Sequence, residues 1–288
     1  NHVTSEKTMG LYQNNNASQL AILTDGIYKN IDFTVNTLDN QTSLLNALSG
    51  LNLTYFKRAP SQLFDQDAKS LNQRVAKNVS NSNKDFVTIT YRVIAPPHSQ
   101  LYVSVPNISW SDDNNHSLSI TVNGVTRNQV TDNTFDFFDL GYFETESMVT
   151  IKLSFPGNKA ISFDNPSFYA LDTKNYQIAM DTINDRDSKV TTSNNKVFVD
   201  YSSKTNASLF FTIPYDKGWT ATINHKKVKI QRAQKGFMKV DVPSGKGKVV
   251  LTFIPYGLKT GLVISLLASI IFCCYAYFIR KITVIQKR

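Results

Sequence analysis

The chain has 288 residues, 41% of them hydrophobic, and 31 basic against 22 acidic side chains, for a formal net charge of +9. That is enough apolar material to fill two cores of ordinary domain size, which excludes a disordered chain. Both cysteines, Cys273 and Cys274, sit in one apolar run, which excludes a disulfide framework elsewhere.

The charge is unevenly placed. Residues 1–214 hold 17 basic and 20 acidic side chains, net −3; residues 215–259 hold ten basic against Asp216 and Asp241, net +8; the tail from Arg280 adds +4. Anionic lipid headgroups or phosphate-bearing polymers are the counterparts such a segment attracts. Nucleic acid is not expected as a partner, because no nucleic-acid-binding motif is present.

In chain order, Asn1 opens without an initiator Met, a basic n-region or an apolar h-region, so an upstream piece carrying the export signal is expected. Residues 1–82 read as a mixed segment. A helix is predicted over Thr37 to Leu51, where Leu44, Leu45 and Leu48 recur at helical spacing and Gly50 supplies the terminator. A second helix is predicted from Asp67 to about Asn78, with Ala68, Leu71, Val75 and Ala76 on its apolar side.

After Asn83 the period changes to two. DFVTITYRVI, LYVSVP, HSLSITVNGVTR and MVTIKLSF alternate as strands, and Asn123-Gly124 is a strong hairpin signal, since a type I′ turn needs two residues that tolerate positive φ. Residues 83–174 therefore read as an antiparallel β-sandwich, jelly-roll-like in plan. Residues 175–259 read as a second, basic sandwich that echoes the first. LYVSVP returns as LFFTIP, SITVNGVT returns as TATINHKK, and KVFVDYS, GFMKVDVP and KVVLTFIPYG continue its sheets. The polar stretch Asn175 to Asn195 is expected to contain the linker.

Gly261 to Ile279 is nineteen residues without a charge, bounded by Arg280 and Lys281 and then by Lys287 and Arg288. At about 1.5 Å per residue the run covers roughly 28 Å, near the bilayer's hydrocarbon thickness, so a transmembrane helix over 260–280 is predicted. The positive-inside tendency puts the 281–288 tail in the cytoplasm and residues 1–259 outside it.

Chemistry-bearing signals are sparse. His2, His98, His116 and His225 have no metal-ligand spacing, and neither a G-x-S-x-G elbow nor a paired cysteine nucleophile occurs. No catalytic, cofactor-binding or metal-binding residue is assigned, and no cofactor is expected. Asp65-Gln66-Asp67 and Asp185-Arg186-Asp187 have the spacing some sugar transferases use to hold a divalent ion, but Asp67 suits a helix cap and the other pair lies in polar chain. Gly245-Lys246-Gly247-Lys248 lacks the following helix of a P-loop and reads as a basic hairpin tip. Lys226, Lys227, Lys229, Lys246 and Lys248 are candidates for contact with anionic polymer or headgroups. Trp110, Tyr142 and Trp219 are candidates for stacking on a sugar, against the alternative that such rings plug sandwich edges.

Several blocks resemble the YfhO family of bacterial membrane proteins. They are DNQTSLLNALSGL (Asp39 to Leu51), the VNG hairpin with DLGYF (Asp139 to Phe143), YAL (Tyr169 to Leu171), LFFTIPYDKGW (Leu209 to Trp219) and VDVPSGKGKVVLTFIPYGLKTG (Val240 to Gly261), followed by the apolar helix. One departure is His225, where the pattern leads one to expect Gly after Asn224. The resemblance implies a multi-span, GT-C-like glycosyltransferase of a Gram-positive cell envelope. Such a parent takes sugar from a polyprenyl-phosphate carrier and adds it to a polymer such as teichoic acid. Its catalytic acid is expected near the first spans, outside this chain, so these residues are expected to be a non-catalytic acceptor-positioning or structural module held by the bilayer and by the parent's upstream transmembrane region. The rival reading is a membrane-anchored glycan-binding or adhesion protein without enzymatic activity. An extracytoplasmic sensor is disfavoured, because only eight residues follow Arg280.

Overall fold

The computed structural model describes residues 2–6, 9–12, 14, 17–34, 37–66, 71–72, 75–77, 86–110, 116–131, 136–156 and 161–286. The chain divides into a middle unit, residues 32–46 and 51–181, and a terminal unit, residues 1–31, 47–50 and 182–288. The fold is mainly β, with antiparallel sheets, as the period-two segments predict.

In the middle unit a five-stranded sheet runs in the order Val125–Thr131, His116–Val122, Ser147–Pro156, Phe86–Ala95, Ser61–Gln66. A four-stranded sheet runs Asp136–Phe143, Ser99–Val105, Ser167–Asp172, Phe56–Arg58. Alternate residues from both close one core: Ile89, Tyr91 and Val93, Val149, Ile151 and Leu153, and Leu101, Val103 and Val105. Each fully buried side chain of this kind contributes roughly 1.5–3 kcal/mol. The hairpin forms as the sequence indicates, with Asn123 and Gly124 at φ 46° and 89°.

The helix expected over Asp67 to Asn78 is not formed in the described part of that segment. Leu71–Asn72 and Val75–Lys77 are strands of a small four-stranded sheet with Ile161–Phe163 and Ser109–Trp110, while residues 67–70, 73–74 and 78 lie outside the described residues. A short apolar pattern with a β-branched residue suits either period, and hydrogen bonds from Ile161–Phe163 decide it.

In the terminal unit the five-stranded order is Lys226–Val228, Trp219–Ile223, Gly245–Phe253, Lys196–Ser203, Ser188–Ser193. Strand for strand this repeats the plan of the middle unit: a hairpin, then the long last strand, then the opening strand, then an edge. Asn224 and His225 make the hairpin turn with φ 46° and 69°, so the departure from Gly is tolerated, with a β-carbon in a left-handed conformation. The four-stranded partner runs Gln231–Ala233, Phe237–Val242, Ala207–Phe211, Ala21–Leu23.

The last of these strands changes the domain picture. In the middle unit the slot beside Ser99–Val105 is filled by Ser167–Asp172, which follows the long strand Ser147–Pro156 in the chain. In the terminal unit the chain leaves the long strand Gly245–Phe253 as a helix, and the corresponding slot beside Ala207–Phe211 is filled by Ala21–Leu23 from the other end. Residues 1–82 are thus not one segment: 1–31 belong with 182–288. Tyr28 is buried beside Phe210 with ring centroids 4.9 Å apart, and burial pushes its hydroxyl pKa up to about 12. That hydroxyl donates to Gln234 Oε1 at 2.7 Å, and Gln234 also bonds both backbone groups of Ile31.

Of the three helices among the described residues, α1 (Thr37–Ser49) ends at Gly50, φ 76°, as its sequence predicts. The stretch expected to hold a linker is instead α2 (Thr173–Asn184) followed by the strand Ser188–Ser193. Asp172 Oδ1 caps α2 by accepting the Asn175 N–H at 3.0 Å, and Ala179, Met180 and Ile183 are buried. Helix α3 (Leu258–Gln286) contains an apolar segment, Leu258–Ile279, of 22 residues with none of it buried.

Candidate functional site

The strand Gly245–Phe253 connects the features of interest. Its inward residues Val249 and Leu251 are fully buried, so Lys246 and Lys248 project from the outer face of the sheet. Register places Lys248 opposite Asp200, Asp200 opposite Lys189, and Thr222 opposite Lys227. Lys189, Lys196, Lys227, Lys246 and Lys248 are all exposed on this face, with Asp200 among them. Lys248 Nζ stands 3.7 Å from Asp200 Oδ1 and 5.5 Å from the Phe198 ring. Side-chain exposures of 52% and 60% leave that ion pair in high dielectric, worth little. Of the other sequence candidates, Lys229 follows the strand Lys226–Val228 and is exposed, and Lys226 is paired with inward Ile223, on the opposite side from Lys227.

Lys189 was missed because its segment reads as polar linker, and the alternation of Lys189, Thr191 and Ser193 is the signal that places it; Lys196 opens the strand KVFVDYS, where buried Val197, Val199 and Tyr201 put it on the outer face. Gly245-Lys246-Gly247-Lys248 is strand rather than hairpin tip. Gly247 pairs with Tyr201, whose ring lies over it, so that a β-carbon there would stand 2.6 Å from the Tyr201 hydroxyl.

The three candidate stacking rings separate. Trp110 is 5% exposed and packs against Phe155, centroids 6.4 Å apart, so it is core and offers no sugar platform. Trp219 is half-buried against Phe253 at 4.9 Å. Tyr142 is 50% exposed, its hydroxyl donating to Glu144 Oε2 at 2.7 Å, while His98 Nδ1 lies 3.1 Å from Glu144 Oε1. The hydrogen bond to Glu144 raises the Tyr142 pKa.

Among the described residues no group of three or more His, Cys, Asp and Glu side chains could hold a metal ion. In Asp185-Arg186-Asp187 the middle residue matters structurally. Its guanidinium donates to the carbonyls of Leu23 at 2.6 Å, Leu48 at 3.0 Å and Ser49, tying the N-terminal strand to the carbonyl end of α1. Asp67 lies outside the described residues.

A second cluster had no motif to announce it. On the four-stranded sheet of the terminal unit, buried Lys239 donates to Asp241 Oδ1 at 3.0 Å and to the Tyr28 carbonyl at 2.8 Å. Ser208 and Gln231 donate to the same carboxylate, each at 2.6 Å. Burial opposes the Asp241 charge, but the hydrogen bonds from Ser208, Lys239 and Gln231 outweigh it and hold the carboxyl below its ordinary pKa. A depressed folded-state pKa stabilises fully above the unfolded value of about 3.9, and that stabilisation is lost as pH falls through the lower folded value. Below about pH 4 the thermal midpoint of the terminal unit therefore drops, and Asp241→Asn flattens that drop while lowering the midpoint at neutral pH. A thermal unfolding series in pH checks both.

The same long strand runs into α3 across Ile254, Pro255, Tyr256 and Gly257, and the strand end of the junction is pinned. Phe253 exchanges two hydrogen bonds with Asn195, at 2.9 and 2.8 Å, and the Ile254 N–H donates to the Gly218 carbonyl at 3.0 Å. A β-carbon on Gly218 would meet the Ile254 carbonyl oxygen at 2.3 Å, which is why the P-Y-x-x-G-W turn needs glycine there.

Two antiparallel sandwiches of one strand plan, the second passing into an exposed apolar helix long enough to cross a bilayer, define a β-sandwich protein with a candidate C-terminal span. The family model for bacterial membrane protein YfhO matches residues 1–265, and the chain belongs to that family. The uncharacterized protein YfhO of Bacillus subtilis (strain 168) is 24% identical over 135 residues, 44% of this chain and 16% of that protein, so the chain spans only a small part of this relative's length. Among solved structures, allantoicase aligns with a TM-score of 0.29 and 9% identity, covering 69% of this chain and 87% of that one. The tandem CBM22-1-CBM22-2 domains of Paenibacillus barcinonensis Xyn10C align with a TM-score of 0.26 and 10% identity, covering 70% and 87%. Scores this low carry no argument about function.

Proposed function

We propose that this chain is the extracytoplasmic C-terminal portion, with the last span, of a multi-span membrane glycosyltransferase that moves sugar from a polyprenyl-phosphate carrier to an envelope polymer such as teichoic acid. In that reading it positions the acceptor and holds no catalytic group of its own. Family membership supports the membrane setting, and the family resemblance supplies the transfer reaction. The basic residues after Ile279 support a cytoplasmic tail by the positive-inside tendency.

The observation that carries the acceptor role is the lysine face of Lys189, Lys196, Lys227, Lys246 and Lys248, on the sheet whose long strand leads into the apolar helix. A polyol-phosphate chain is the chemistry that such a face attracts near a membrane. Changing all five to Gln weakens retention on immobilised poly(glycerol phosphate) by about tenfold at low salt, from ~0.3 kcal/mol per lysine, and the wild-type interaction declines as salt rises. Unchanged or salt-indifferent retention removes the role. The open ring of Tyr142 supports a second reading, a membrane-anchored glycan-binding protein without enzymatic activity. Under it, Tyr142→Ala abolishes glycan retention.

A further inference from the structure

We infer that the turn Tyr215–Trp219 and the first residues of α3 form a docking surface for anionic phospholipid headgroups, with Lys217, Tyr256 and Lys259 as its contacts. The inference concerns how the terminal unit meets the bilayer and does not depend on the transfer reaction.

Geometry fixes the turn to the strand end that leads into α3. The Asp216 carboxylate is used internally, accepting the Gly218 N–H at 2.6 Å, and the Asp216 carbonyl accepts the Trp219 N–H at 3.2 Å. The Gly218 carbonyl then holds Ile254, and the Trp219 ring packs tilted against Phe253. From that fixed turn Lys217 reaches outward, its ammonium 5.8 Å from the centroid of the Tyr256 ring. Tyr256 is 81% exposed, an apolar ring left in solvent just before the apolar segment that begins at Leu258.

In water such a ring beside a run of exposed leucines and isoleucines has no stabilising surroundings. At the boundary of a bilayer it sits where tyrosine rings accumulate, with its hydroxyl among headgroups and its ring at the acyl boundary. Lys259, exposed on the first turn of α3, lies at the same level. A recess of about 230 Å³ is lined by Tyr215, Asp216, Lys217, Trp219, Lys227 and Val228. Arg232 lies over the Tyr215 ring at 4.7 Å. Asp216 is outnumbered in this set by Lys217, Lys227, Arg232 and Lys259, so the net charge is positive. Phosphate with acyl carbon beneath it matches this arrangement of ammonium groups over aromatic rings. A short pinned junction prevents the unit from swinging away from it.

The test uses the chain reconstituted in lipid nanodiscs with Trp110→Phe, which leaves Trp219 as the reporter. Brominated phosphatidylglycerol, with bromine just below the headgroup, is titrated into phosphatidylcholine discs. Trp219 fluorescence is quenched, and the phosphatidylglycerol fraction giving half-maximal quenching rises about fivefold with Lys217→Gln. A separate Leu267→Trp reporter, made in Trp110→Phe/Trp219→Phe, reads helix insertion against phosphatidylcholine brominated near the ends of its acyl chains. Quenching at position 267 without quenching of Trp219 overturns the inference, as does a midpoint indifferent to Lys217→Gln. No quenching at position 267 removes the bilayer from the helix, and the inference falls with it. Loss of sugar transfer in a separate assay bears on the proposed function and leaves these readings unmoved.

Discussion

Leu23→Asp unfolds the terminal unit at a cost of about 4 kcal/mol, because it puts an unpaired carboxylate into an apolar core. Leu23 is 4% exposed, belongs to the same core as Leu209, Val240 and Leu251, and offers its carbonyl to Arg186. Its strand closes the sheet whose other members lie near the far end of the chain. Amide exchange is the measurement: protection disappears from Ala207–Phe211 and Phe237–Val242 and persists in Ser147–Pro156 and Phe86–Ala95. Equal loss from all four strands, or loss from none, contradicts this assignment of the N-terminal strand.

Gly218→Ala costs about 3 kcal/mol. The colliding atom is a backbone oxygen, that of Ile254 at 2.3 Å, and the Phe253 ring follows at 2.8 Å, so no flexible side-chain end can yield. Gly236→Ala is the matched control, since nothing lies within 4 Å of a β-carbon there. It stays within about 0.5 kcal/mol of the parent in denaturant unfolding. Equal effects at the two positions refute the close approach at the junction.

What could be read from the sequence follows from how local its causes are. The apolar helix is set by composition alone. The hairpins at Asn123-Gly124 and Asn224-His225 are set by the tolerance of four residues for positive φ, and α1 by three leucines with a terminating glycine. Ala21–Leu23 could not be read, because three apolar residues carry no period and their partner strand is fixed only in the folded unit. Helix α2 was hidden by polar neighbours, although Tyr176, Ala179, Met180 and Ile183 keep helical spacing. At Leu71–Lys77 a pattern compatible with both periods was settled by pairing with distant chain.

The site divides in the same way. Lys227, Lys246 and Lys248 were visible as charge, and alternation along the strands then decides which lysines share a face. Trp110 was a stacking candidate, and pairing with Ile161 settles it for the alternative, a ring plugging the sandwich core. The Lys239–Asp241 pair had one cue, opposite charges two residues apart on a strand, and that cue does not reveal burial.

The proposed role is tested most directly by sugar transfer from a polyprenyl-phosphate donor to poly(glycerol phosphate), assayed in membranes that hold either the whole parent protein or residues 1–288 alone. The account predicts transfer by the parent, reduced when the five face lysines are changed to Gln, and none by residues 1–288. Turnover by residues 1–288 alone, or a parent whose transfer is indifferent to those lysines, contradicts it.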